Sequence, residues 1–529
     1  MPQRRVRPPS RPHSTTHPTT AGAYNEINGV PACGNGDLLR GTLEAEWGLD
    51  GLVISDADAV AYIGIKDDDN PLTRGHGFAA SPLAAALSAF RNGTTVSLED
   101  ADPDGALYAT YLLPMLAAGN FTLGELRSAA SRALLPRFRV GLYDPPERNP
   151  WNSVPASVLE SAAHHALARR AAAGSFVLVK NEGGFLPFKP AAAGGPRVIA
   201  LVGPTSNCSA CGVNRYSGHP GRTVGILEGL TEAAAEVGAR VAFGGEALGA
   251  GAIAALAGAD AGVVVLTGRS EGESRDRFSV ALPDDALAWL EELAAVPALP
   301  PLVLLVVSGG AVDSGPALPL FPAVLHLYTG GMEYGAAVGD VLFGAAEPSG
   351  ALAHTVYRAS WANASDFLSM AVRAPPGRGH RYLTPDAAAA HVLFPFGAGL
   401  SYTTWAAEVG AVVPPAISRS ALESGANVSV GVRLTNTGAA RAGTRVCFAT
   451  LSRVGAPTEE QWPSQWIPRF GFAKAHGVAP GAAVDVPLTL VARDFSRWDA
   501  AAGAFTVRPG AFSITLRDGG SVGFSVTEA

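Results

Sequence analysis

The sequence predicts a multidomain α/β protein that closes with an antiparallel β-sandwich. Residues 35 to 140 alternate helix-like and strand-like patterns, and continuous apolar runs separated by helices follow. From about residue 405 a period-two alternation takes over. At 529 residues the chain exceeds what one hydrophobic core sustains, and two to four domains are expected.

In the first segment, Asp37 to Trp47 reads as a helix and Gly51 to Ile54 as a short buried strand. Pro82 to Phe90 is a second helix, with Leu83, Leu87 and Phe90 on one face. Val96 and Leu98 form a weak strand. Leu107 to Leu113 and Leu123 to Phe138 read as helices, the second opened by Thr122 as N-cap.

GLYDPPERNPW, residues 141 to 151, is a Pro-rich break. Beyond it, Val198 to Val202, Gly262 to Leu266, Leu302 to Val307 and Val324 to Tyr328 are uninterrupted apolar runs. That pattern belongs to parallel strands covered on both faces, with helices such as Ala286 to Ala294 between them. The last segment contains VSVGVRLTNTG, TRVCFATL, VDVPLTLV and AFSITLRD, alternating runs set apart by Gly, Asn, Pro and Asp turns. No repeat recurs at a fixed period.

Net charge is -7 and pI about 5.9, with no basic stripe, which excludes nucleic acid as an expected partner. No window of about 20 residues is free of Gly, Pro and charge, so no membrane span is expected. The first 20 residues are basic, Pro-rich and Thr-rich without an apolar core; they read as disordered and not as a secretory signal. Five N-x-[ST] sequons, at Asn92, Asn120, Asn207, Asn363 and Asn427, favour a secretory route. The four cysteines are too few for a disulfide framework. Cys208-x-x-Cys211 lacks a second pair or histidine partners, so no metal is expected there, and a local disulfide or two free thiols both stand.

Two stretches could carry chemistry. GLVISDADAV, residues 51 to 60, ends a buried strand on Asp56. In α/β barrels the C-terminal strand ends hold the active site, although a strand-end Asp also serves as a cap. Asp58, further into the loop, has the weaker claim. TGRSEGESRDRF, residues 267 to 278, follows the second buried strand and packs Arg269, Glu271, Glu273, Arg275, Asp276 and Arg277 together. It reads either as a solvated loop or as a loop offering a proton donor. Glycoside cleavage needs one carboxylate at the anomeric carbon and one acid at the leaving oxygen, about 5 to 5.5 Å apart in retaining enzymes. GAGA near residue 249 lacks the full dinucleotide fingerprint, and there is no P-loop, H-E-x-x-H or G-x-S-x-G.

Taken in order, the segments resemble glycoside hydrolase family 3, in its plant and fungal β-xylosidase/α-L-arabinofuranosidase branch. YNEINGVPACGNGDLLRGTLEAEWGLDGLVISDADAV (24 to 60) resembles the family's nucleophile segment. LVKNEGGFLPF, ALVGP, NRYSGHP, ESRDRFSVALP, VVSGGAVD, YTGGMEYGAAVGDVLFGAAEPSGAL, PPGRGHRY and FPFGAGLSYTTW follow in family order. The resemblance covers about residues 24 to 529.

It implies a non-family start at 1–22 and the C-terminal part of a (β/α)8 barrel at 23–150. An α/β sandwich at 151–404 and a fibronectin type III-like domain at 405–529 follow. It also implies a retaining exo-glycosidase, β-xylosidase-like, of secreted or extracellular location, acting on an oligosaccharide or an aryl or alkyl glycoside without metal or cofactor. Asp56 matches the nucleophile and Glu273 the acid/base, with Glu271 as the alternative. Tyr24 matches a tyrosine that hydrogen-bonds the nucleophile, and Glu271 and Arg277 fall to substrate-binding positions. Ala57 follows the nucleophile where β-glucosidases of the family carry Trp and xylosidase-like members Cys, so a pentose is favoured; VPAC and SGGAVD point the same way.

Only 23 residues precede Tyr24, where the family places most of its barrel and an Asp, an Arg and a Lys-His pair that grip the sugar. Those contacts orient the anomeric carbon for attack. The expectation is therefore a family-like fold with weak or no activity. A catalytically inactive carbohydrate-binding remnant and a β-glucosidase are the alternatives.

Overall fold

The computed structural model describes residues 19–64, 75–98, 106–213, 216–268, 277–366, 368–455, 465–466 and 474–528. The chain divides into two compact units, Met1–Val158 and Leu159–Ala529.

The first unit is built on parallel strands. Thr19–Gly22 pairs with Leu52–Ser55 in register Thr19↔Leu52 to Gly22↔Ser55. Ile54 bridges Val96 in the same direction, so three parallel segments lie side by side. An expected unstructured start through residue 22 is corrected by this pairing: two β-branched threonines and two small residues supply backbone donors and acceptors to the exposed edge of 52–55. The link from the first strand to the second includes the helix Asp37–Glu46, whose last turn closes five residues back, Trp47 N donating to Thr42 O at 2.9 Å. The helix Pro82–Asn92 connects the second strand to the third segment, starting at Ser81, whose side chain accepts from Ala84 N.

Leu123–Arg139 opens on a capping box, as its sequence predicts. Thr122 N donates to Glu125 Oε2 at 2.6 Å, and Glu125 N to Thr122 Oγ1 at 3.2 Å. The helix is tied to the approach of the central strand: Arg139 forks onto both oxygens of Asp50 at 2.8 and 2.5 Å, and Arg132 Nε donates to Gly51 O at 2.9 Å. The Pro-rich segment after it folds back on the helix end through Asn149 Nδ2, 3.2 Å from Val140 O. The unit therefore ends at Val158, beyond the break at 150 read from composition.

In the second unit a six-stranded sheet runs in the order 177–181, 323–326, 302–307, 261–267, 198–202, 240–243. The edge strand Val177–Asn181 is antiparallel to Ala323–His326, and every other pair is parallel. Both faces are apolar, Ile199, Leu201, Val263 and Leu305 packing on one side and Val202, Val264, Leu266 and Leu304 on the other. Helices Ile226–Glu236 and Tyr334–Leu342 approach so closely that a Cβ on Gly229 would fall 2.1 Å from Gly335 O, which only glycine allows.

The β-sandwich follows. One sheet has the order 405–413, 428–436, 483–490 and the other 416–418, 521–527, 510–516, 449–453, 465–466. Val428, Val430, Val432 and Leu434 point inward on alternate positions. TRVCFATL, which reads as one strand, splits: Gly443–Val446 pairs with Lys474–Val478, and Ala449–Arg453 joins the larger sheet.

Candidate active site

Tyr24 and Asp56 leave adjacent parallel strands at the same end, because Gly22 and Ser55 are paired in register. Residues just past C-terminal strand ends in such sheets converge on one crevice. Asp56 is exposed, its amide donating to Gly22 O at 2.8 Å and its Oδ1 accepting from Ala57 N at 2.8 Å. The turn is laced to the third segment: Asp58, at φ 58°, donates from its amide to Leu98 O at 2.8 Å. Buried Ser55 accepts from Leu98 N at 2.8 Å.

The Tyr24 hydroxyl donates to Ala57 O at 2.5 Å, the carbonyl of the residue after Asp56, and its ring meets Tyr62 edge to face at 5.5 Å. Burial pushes the Tyr62 phenol above its ordinary range, and the charge of Asp58 adds to that. Beneath the turn lies Cys33, whose thiol is pushed up to about 11 by burial and by the Asp56 charge. A Cβ at Gly22 would stand 2.6 Å from Cys33 Sγ, so a larger residue there would force the thiol aside.

Two residues that the sequence did not single out complete this surface. His76 Nε2 lies 2.6 Å from Tyr24 O, and its Nδ1 3.2 Å from Glu26 Oε1. A lone histidine between glycines in a loop gives no periodic or spacing signal, so only the contact identifies it.

Glu271 and Glu273 lie outside the described residues. The ends of their loop are described and anchored. Gly268 N donates to Val307 O at 3.3 Å, and Arg277 Nη1 to Ala311 O at 2.7 Å. Asp313 N donates to Val280 O at 2.7 Å, while its carboxylate accepts from Gly315 N at 2.9 Å and Ala359 N at 2.7 Å. The SGGAVD turn thus holds the far end of the segment at the C-terminal edge of the central strands. Among the described residues no group of three His, Cys, Asp or Glu side chains is placed to hold a metal ion.

Within the second unit, the mostly parallel six-stranded sheet is followed by an antiparallel β-sandwich, a domain order shared with known proteins. Residues 176–402 match the glycosyl hydrolase family 3 C-terminal domain, and residues 470–519 a fibronectin type III-like domain. This part of the chain thus carries the glycosyl hydrolase family 3 C-terminal domain, followed by a fibronectin type III-like domain.

Among curated relatives, a β-xylosidase/α-L-arabinofuranosidase of Medicago sativa subsp. varia is 29% identical over 391 residues, covering 72% of this chain and 48% of its own length. A β-D-xylosidase of Arabidopsis thaliana is 30% identical over 395 residues, with the same coverage of 72% and 48%. The chain spans about half the length of these relatives. A solved β-glucosidase of Erythrobacter marinus is 27% identical with a TM-score of 0.76, covering 95% of this chain and 67% of that one. A family 3 exo-β-xylosidase in complex with a xylobiose aziridine probe has a TM-score of 0.81 at 22% identity, covering 96% and 65%, and shares the fold.

Proposed function

We propose that the chain is a retaining exo-glycosidase that removes terminal β-linked xylose. Asp56 attacks the anomeric carbon to give a glycosyl-enzyme, and Glu273 protonates the leaving oxygen and then activates water. Glu271 is the alternative acid/base. Arg277 and Glu271 are assigned as sugar contacts, and Tyr24 as the residue that fixes the turn carrying Asp56. The observation that carries this reading is the exposed Asp56 carboxylate at the end of Leu52–Ser55, with the Tyr24 hydroxyl held on the next peptide. The xylosidase names of the plant relatives support the pentose.

The identity to the Erythrobacter marinus enzyme favours a second reading, a β-glucosidase. Ala57, which gives no indole for a hexose to stack on, stands against it. Secretion is proposed as well, because Cys208 and Cys211 form a disulfide, as expected in an oxidising compartment.

Rates of the full chain on aryl β-xyloside and aryl β-glucoside test the reading against an Asp56→Ala variant. A xyloside rate that exceeds the glucoside rate and disappears in Asp56→Ala supports it. No wild-type turnover, or an equal rate in the variant, overturns it.

A further inference from the structure

Within the second unit, the α/β part and the β-sandwich together line a cleft of about 910 Å³. This is the size of natural small-molecule sites. None of the residues assigned to hydrolysis lines it. In a protein with net charge -7, its walls carry Arg170, Lys474, His354 and His476.

Lys474 is half-buried, and its ammonium donates to Gly174 O at 3.0 Å and Ser349 Oγ at 3.5 Å. Burial pushes that ammonium below its ordinary range. Among the described residues neither Lys474 nor exposed Arg170 has a carboxylate partner. The acid on the wall, Glu347, is engaged by Ser401 Oγ and by Thr444 N. Burial raises the Glu347 carboxyl, and these donors and Arg441 oppose the rise. A half-desolvated cation without a counter-charge is unfavourable, and an anion entering beside it relieves that cost.

The cleft is far larger than a bare oxyanion needs, and it is not lined by charge alone. Tyr328 and Phe448 supply ring surface. Among the described residues the Tyr328 hydroxyl and His354 Nε2 have no hydrogen-bond partner, though both are buried, and their rings meet edge to face at 5.8 Å. Ring surface, hydroxyl-reaching groups and two cations on the walls together suit a sugar that bears a carboxylate.

We propose that this cleft is a second carbohydrate site, selective for uronic acids, in which Lys474 and Arg170 hold the carboxylate. The proposal goes beyond hydrolysis and does not depend on Asp56. Calorimetric titration of the full chain with glucuronic acid, xylose and sodium phosphate tests it.

Glucuronate is expected to bind about tenfold more tightly than xylose or phosphate and to weaken with added salt. Arg170→Ala and Lys474→Met are each expected to weaken it about tenfold, and Asp56→Ala to leave it unchanged. Arg170→Ala removes an exposed charge, so it remains informative if Lys474→Met lowers stability. Equal binding of xylose, tighter binding of phosphate or no binding by any probe overturns the proposal. So does an affinity that Arg170→Ala and Lys474→Met leave intact, or one that Asp56→Ala abolishes.

Discussion

The Tyr24 hydroxyl donates to Ala57 O at 2.5 Å, tying the exit of one parallel strand to the peptide beyond Asp56 on the next. The bond spans 33 residues of sequence. It restrains the turn that presents the carboxylate, and in the proposed reaction such positioning is sensitive to small displacements. Tyr24→Phe keeps the ring contact with Tyr62 and removes only the donor. Its kcat/KM on aryl β-xyloside should fall about tenfold, the loss expected for one hydrogen bond of this kind. Melting temperature should move by no more than about 4 °C, because Tyr24 is 42% exposed. An unchanged rate would remove Tyr24 from the site.

His326 is 2% exposed at the end of the strand Ala323–His326, with Nε2 3.3 Å from Ser314 Oγ. Its ring packs edge to face on Phe394 at 5.8 Å and on Tyr328 at 6.4 Å. Burial, with His354 as a second and like-charged neighbour, lowers its pKa from 6.5 to about 4. The unfolded chain therefore binds a proton between those values that the folded chain refuses. Stability is full above pH 6.5 and declines as pH falls towards 4, by about 3 kcal/mol from this group. Urea unfolding at pH 7 and pH 4.5 should show a smaller acid loss in His326→Gln than in wild type. Parallel losses in the two proteins would refute the assignment.

Legibility in the sequence followed where each element's energy comes from. Leu302–Val307 and the capped helix Leu123–Arg139 announce themselves through an unbroken apolar run and a local side-chain cap. Thr19–Gly22 has neither, because its strand conformation comes from pairing with Leu52–Ser55 more than 30 residues away. Arg240–Phe243 is a half-exposed edge strand of four residues, too short for a period to register. TRVCFATL hides a change of sheet, since alternation continues through Cys447 and Phe448 while the hydrogen-bond partner changes. Asp56 was visible as a carboxylate closing an apolar run. His76 and the Lys474 cleft were not, because each joins residues that only the folded chain brings together.

The cysteines should report their environments directly. Cys208 and Cys211 are joined, whereas Cys33 and Cys447 are free and buried, each thiol pushed up to about 11 chiefly by burial. A buried thiol held protonated is a poor nucleophile. With a thiol reagent at pH 8 the native protein should therefore show no fast-reacting group. Mild reduction should expose two, and reduction in denaturant all four. Two fast thiols before any reductant would place Cys33 or Cys447 at the surface, or leave the 208–211 pair open.

Asn436, 0% exposed at the end of the strand Val428–Asn436, is the polar centre of the β-sandwich. Its Nδ2 donates to Arg441 O at 2.7 Å and Val478 O at 2.8 Å, and its Oδ1 accepts from Thr403 Oγ1 at 2.6 Å and Gly438 N at 3.1 Å. All four bonding positions of the amide are used, and they join a strand of one sheet to the ribbon beside it and to the segment entering the domain. Asn436→Leu removes the partner of two carbonyls, an amide and the Thr403 hydroxyl, and each such group that stays out of water costs about 1 to 3 kcal/mol. The substitution should lower the unfolding free energy by about 4 kcal/mol, a large fraction of a domain's total stability. Asn436→Asp keeps the size but turns both donors into acceptors facing carbonyl oxygens, so it should be at least as damaging at pH 7. Differential scanning calorimetry of the two variants checks this, and a loss below about 1 kcal/mol in Asn436→Leu would show that water reaches these groups and that the amide is not what ties the strand to the ribbon and the entering segment.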